Sequence, residues 1–119
     1  MFVVNTRARD SFITVDGSEI RLLVDRTNSA ITTMSLAEAT VPVGGATIRH
    51  HLREMDEIFY ILRGKGRMHI GDEARELGPG DAVWIPAGKI QWIENVAPEP
   101  LVFLCAVAPA YTPEQDIPE

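Results

Sequence analysis

Short runs of alternating apolar and polar residues, broken by Gly, Pro and Asp, fill most of the chain. That period marks half-buried strands rather than helices. FITV and EIRLLV flank Asp16-Gly17, a dipeptide suited to a tight turn with positive φ, and predict a first hairpin. Ile31 to Val41 predicts a strand or strand pair, with SLAEA as a weakly helical stretch and Pro42, Gly44 and Gly45 closing it. ATIRHHLREMDEIFYILRGKGRMHI predicts two strands joined by a polar corner at LREMDE, then a turn at Gly64 to Gly66 and a third strand. Gly71-Asp72 marks a further turn, and Pro79 ahead of Gly80 in GPGD suits a type II turn. AVWIP and IQWIENV predict strands around Pro86-Ala87-Gly88, and PLVFLCAV predicts the last one. PAYTPEQDIPE is proline-rich and acidic, so residues 109–119 are expected as a mobile or surface-draped tail.

The element pattern predicts an all-β sandwich or barrel, and 119 residues without an internal linker or repeat predict one domain over 1–119, its core about 35–108. Alternation places Ile48, Leu52, Phe59, Ile61, Met68, Ile70, Val83, Ile85, Ile93 and Phe103 inside, a strongly apolar lining. Such a lining suits a flat aromatic or otherwise hydrophobic small molecule better than a sugar. His69, between Met68 and Ile70, should face out. Trp84 and Trp92 should also face out, which predicts a covered surface, either a dimer interface or contact with the N-terminal strands.

The formal net charge of -6 and a pI near 5.0, with arginines scattered among acids, argue against a nucleic-acid partner. The single cysteine, Cys105, lies in the apolar run LVFLCAV and reads as a buried small hydrophobe; no internal disulfide can form. No stretch has the length of a signal peptide or a membrane span, so a cytoplasmic setting without a membrane partner is expected.

The block PVGGATIRHHLREMDEIFYILRGKG, followed by GPGDAVWIPAGKIQWIEN, resembles the two motifs of the cupin superfamily. Gly44, His50, Glu57 and Gly64 occupy the first motif; Gly80, Pro86, Gly88 and Asn95 occupy the second. The ending EPLVFLCAVAPAY is similar to the close of small single-domain cupins, and the resemblance spans about 35 to 111. It implies a double-stranded β-helix, the jelly-roll barrel, and a homodimer as in many cupins. It also implies a divalent metal, here on His50, Glu57 and Gln91, and no organic cofactor is expected.

The sequence departs from that pattern at two ligand positions, with Leu52 in place of the second histidine and Gln91 in place of the last. An amide oxygen is a poorer transition-metal ligand than imidazole, so the metal site is expected to be weak. Setting the motif one residue later brings Gly45, His51, Arg53 and Glu57 into its positions. A bulge at the corner would then turn His51 inward, whereas plain alternation puts it outside. Without metal, His50 and Glu57 form a candidate acid/base dyad, with Gln91 orienting an oxygen. The expected function is small-molecule proton-transfer chemistry by an isomerase, cyclase or lyase. The alternatives are a metal-dependent enzyme and a non-catalytic binding protein.

Overall fold

The computed structural model describes residues 1–14 and 16–119. Val15, the last residue of the expected FITV strand, lies outside the described residues. After a 3-10 turn at Thr6–Ala8, the strands in chain order are β1 (Phe12–Ile13), β2 (Glu19–Val24), β3 (Ser35–Val41), β4 (His50–Leu52) and β5 (Asp56–Arg63). They are followed by β6 (Gly66–Ile70), β7 (Glu73–Leu77), β8 (Ala82–Ile85), β9 (Gln91–Asn95), β10 (Leu101–Ala108) and, after a second 3-10 turn at Pro113–Gln115, β11 (Asp116–Pro118).

These strands form two sheets, β1-β2-β3-β10-β5-β8 and β11-β4-β9-β6-β7, and the pairings within them are antiparallel. The inner faces meet in one core that contains Ala39, Val41, Phe59, Ile61, Met68, Leu77, Ile85, Ile93, Leu101 and Phe103. This is the jelly-roll arrangement that the cupin resemblance implies. At its centre the Phe59 and Phe103 rings lie 4.4 Å apart and tilted, close to the range of favourable aromatic pairs. No helix among the described residues is long and apolar enough to cross a membrane.

Glycine is needed at several turns, and two of them show why. Gly80 takes φ +92° at the third position of GPGD, and Asp81 N–H donates to Gly78 O at 3.0 Å, which makes the expected type II turn. Gly64 has φ +83°, and a Cβ there would lie 2.6 Å from Pro100 O, so both its backbone conformation and the neighbouring main chain exclude a side chain.

One expectation is corrected and two alternatives are resolved. SLAEA is not helical: it is most of β3, paired on one side with β2 and on the other with β10, and two ladders outweigh a weak local propensity. The tail is draped on the barrel and held there, because β11 pairs with β4 (Asp116 opposite Leu52) and Glu119 N–H donates to Arg49 O. The N-terminal strands do not cover the outer tryptophans: they extend the first sheet beyond β3, at the edge opposite β8.

Candidate functional site

The pleat carries His50 and Leu52 inward on β4, Gln91, Ile93 and Asn95 inward on β9, and Glu57, Phe59 and Ile61 inward on β5; all are buried. His50 and Gln91 are direct cross-strand neighbours in one sheet. Glu57 belongs to the other sheet, yet Gln91 Nε2 donates to Glu57 Oε1 at 2.9 Å. The three candidate residues therefore converge through an amide that spans the gap between the sheets. Among the described residues His50 makes no hydrogen bond with Glu57; Gln91 is the link between them.

His50 Nδ1 lies 2.9 Å from Ile48 O. A carbonyl can only accept, so Nδ1 carries a proton, and of the two neutral tautomers this selects the one with its lone pair on Nε2. Gln91 is 1% exposed, and its Oε1 has no hydrogen-bond partner among the described residues. This amide orientation is the one that suits an ionised Glu57, since the reverse would set oxygen against the carboxylate. Leaving that oxygen unpaired in the interior costs about 1–3 kcal/mol.

Burial is the main reason the Glu57 carboxyl is pushed up from 4.5 to about 7; the Gln91 hydrogen bond opposes the rise, and the charges of Asp116 and Asp16 add to it. Near neutrality Glu57 is thus present in both protonation states. Cys105 packs against the core from β10, and burial first, then Glu57 and Asp16, push its thiol well above the ordinary value. It remains a neutral, small hydrophobe.

Two residues near the site carry no spacing signal in the sequence. Tyr111 packs on Leu52, Met55 and Val107, and its hydroxyl donates to Asp116 Oδ2 at 2.7 Å. Burial and this bond to a carboxylate both push the Tyr111 hydroxyl up. The tail thereby sets Asp116 close enough to bear on Glu57.

The expected lining separates into three groups. Phe59, Ile61, Ile85, Ile93 and Phe103 belong to the continuous core, and Leu52 belongs to the smaller cluster with Met55 and Val107. Met68, with Ile70 and Val83 packed beside it, belongs to the rim of the continuous core and lines an open cleft of about 300 Å3 between β7 and β8, with Leu77, Glu73, Arg75, Asp81 and Trp84 also on its walls. Ile48 is the exception, at 39% exposed. Thr47 takes the inward place ahead of it: Thr47 N–H donates to Ile93 O, and Thr47 Oγ1 accepts from Ile93 N–H at 2.9 Å. The alternation breaks there, so the side chain of Ile48 turns out while its carbonyl meets His50.

The outer positions are also settled. His51 is half-buried and pairs with the Glu119 carboxylate on the far side of β4 from His50, so it does not enter the site. His69 stacks on Trp92, with ring centroids 4.1 Å apart, and lies 2.5 Å from Glu94 Oε1. Arg49 caps Trp92 at 4.9 Å, so this indole is covered by its own chain. Trp84 is 63% exposed, on an outer face shared with Ile58 and Tyr60, and its Nε1 donates to Asp56.

The fold family implies a divalent metal, and the donor set here does not fit one. The position of a second imidazole is filled by apolar, buried Leu52, and the amide of Gln91 is neutral and committed through nitrogen to Glu57. Among the described residues no three His, Cys, Asp or Glu side chains converge on a point.

The model of the cupin domain family matches residues 37–107. An uncharacterized protein of Methanocaldococcus jannaschii is 42% identical over 103 residues, covering 87% of this chain and 82% of that one. A predicted oxalate decarboxylase of Thermotoga maritima has a TM-score of 0.79 at 23% identity, over 90% of this chain and 98% of that one. The polyketide cyclase RemF of Streptomyces resistomycificus has a TM-score of 0.78 at 23% identity, over 97% of this chain and 89% of that one. At such identities the two structures speak for the fold alone. The family model runs from β3 to β10 and so takes in both motif segments, and this protein belongs to the cupin family, with Leu52 and Gln91 at two of its usual histidine positions.

Proposed function

We propose that this cupin is an enzyme that moves a proton on a hydrophobic small molecule, as an isomerase, cyclase or lyase, with Glu57 as the exchanging group. The observation that carries this is a carboxyl group buried in an apolar barrel and held near neutral acidity. A group with a pKa close to the working pH gives and takes protons with comparable ease. Gln91 fixes one oxygen of Glu57 and leaves the other to face a ligand. His50, its tautomer set by the Ile48 carbonyl, presents Nε2 as a second proton acceptor. The cleft between β7 and β8, walled by Met68, Leu77 and Val83 and also by Glu73, Arg75 and Asp81, is the approach we assign. Its residue Ile70 is the cross-strand neighbour of Gln91, and Val83 lies two residues from Ile85, the partner of Glu57. The polyketide cyclase among the fold relatives is an instance of such chemistry on this scaffold, an analogy of fold.

The test is deuterium incorporation into an enolisable, neutral aryl ketone, hydroxytetralone, followed by NMR in D2O near neutral pH. Wild-type protein should accelerate exchange over buffer. Glu57→Gln keeps the shape and the Gln91 contact but cannot exchange a proton, and should lower the acceleration by about 100-fold or more. Full activity in Glu57→Gln would reject the assignment.

A further inference from the structure

We propose that the interior site takes a neutral, apolar ring ligand held by a hydroxyl that donates to Gln91 Oε1, and that it rejects a carboxylate of the same shape. This deepens the function proposed above, since it rests on the same three residues being a ligand site. Donors and acceptors are unequal in number there. Gln91 Oε1 is an acceptor in a residue only 1% exposed, and it has no partner among the described residues. His50 Nδ1 is spent on the Ile48 carbonyl, which leaves Nε2 as an acceptor. Glu57 has one oxygen engaged by Gln91 and a second that accepts whenever the group is ionised. Against these stand the second N–H of Gln91 and, in the protonated form of Glu57, its O–H. With Glu57 ionised the interior acceptors are in excess, and a ligand that completes them must bring donors.

Charge points the same way. Among the described residues no Arg or Lys is buried, so no fixed cation waits inside for an anion. The groups that act on Glu57 through their charge are the carboxylates of Asp116 and Asp16. An anionic ligand would be desolvated in an apolar barrel beside like charge, without a partner. An ammonium ligand would meet favourable charge at Glu57 but would lose its full water shell among the apolar side chains Ile85, Ile93 and Phe59, a desolvation cost that a single carboxylate, half-protonated near neutrality, does not offset. A neutral hydroxyl satisfies the orphaned oxygen without that penalty.

Naphthol, naphthoate, naphthalene and naphthylmethylammonium share a ring system and differ in this one group. Their affinities near neutral pH can be measured by NMR titration, following the Gln91 side-chain amide and the Ile85 and Ile93 methyl signals. Naphthol should shift the Gln91 amide and bind about tenfold or more tighter than naphthoate, and also tighter than naphthalene and the ammonium. Gln91→Met, close in size and without the oxygen, should abolish the preference of naphthol over naphthalene; unchanged methyl signals in the free variant would show that the core is intact. The inference is overturned if naphthoate or the ammonium binds as tightly as naphthol, if naphthol and naphthalene bind alike to wild type, or if no ligand moves the Gln91 signals. Retained exchange activity in Glu57→Gln, with the naphthol preference intact, would remove the catalytic role and leave this ligand class standing. A reversed preference with exchange abolished in Glu57→Gln would do the opposite.

Discussion

Glu57→Gln should stabilise the protein at alkaline pH, and the size of the gain follows from the burial of the carboxyl. In the unfolded chain Glu57 titrates near 4.5; in the folded protein it is 8% exposed and titrates near 7. The folded state therefore binds the proton more tightly, and stability falls as pH rises between these values. Below about 4.5 both states are protonated and nothing is lost; above about 7 the whole cost is present. An interval of roughly 2.5 pH units at about 1.4 kcal/mol each gives a loss on the order of 3 kcal/mol. The glutamine side chain of the variant does not titrate, and its amide can still pair with Gln91. Urea denaturation of both proteins from about pH 4.5 to pH 8 isolates the effect, since every other carboxylate is common to the two. The difference in unfolding free energy between variant and wild type should swing by about 3 kcal/mol in favour of the variant across the range. Parallel stability curves would refute the account of Glu57 as a buried carboxyl near neutral acidity.

Gly64→Ala should destabilise more than Gly66→Ala in the same assay. A Cβ at residue 64 meets the Pro100 main-chain oxygen at 2.6 Å and strains a positive φ, whereas at residue 66 its nearest neighbours are side-chain atoms, Ile93 Cδ1 at 2.8 Å, Leu101 Cδ2 at 2.9 Å and Ile93 Cγ1 at 3.0 Å. The second change should cost about 1–3 kcal/mol and the first clearly more. Thr47→Val should cost about 1–3 kcal/mol because it leaves the Ile93 N–H without an acceptor; a loss within about 0.5 kcal/mol of zero would show that the bond is dispensable. Elemental analysis of protein purified without chelator should find far less than one divalent ion per chain, and exchange activity should survive EDTA. A stoichiometric ion lost together with activity would show that His50, Glu57 and Gln91 hold metal despite their donor set.

The two-residue period was a reliable guide wherever a strand is held firmly in its sheet. Phe59, Ile61, Ile85, Ile93 and Phe103 all meet in the core as alternation places them, because their ladders fix which face each residue takes. It failed at Ile48, where a threonine hydroxyl replaces a step of the ladder and the phase is lost. Local propensity failed at SLAEA, whose conformation is decided by partners distant in sequence. The convergence of His50, Glu57 and Gln91 was legible from motif spacing, but the hydrogen bond that joins two sheets through Gln91 was not, since period alone does not say which inward residues face each other. Tyr111 and Asp116 were hidden for a related reason: the proline-rich tail has no period, and only its docking on β4 brings them near Glu57. Trp92 is shielded by His69 and Arg49, a cover that depends on cross-strand neighbours.

The acceptor that fixes the His50 tautomer is the main-chain carbonyl of Ile48, and that has an evolutionary consequence. A side-chain acceptor can be erased by one codon change; a carbonyl is supplied by whichever residue follows Thr47. Drift at position 48 should therefore leave the protonation pattern of the imidazole untouched. A one-residue insertion or deletion between Gly45 and His50, harmless in many surface loops, should move the carbonyl away and scramble it. The site is guarded by the length of that segment rather than by its spelling.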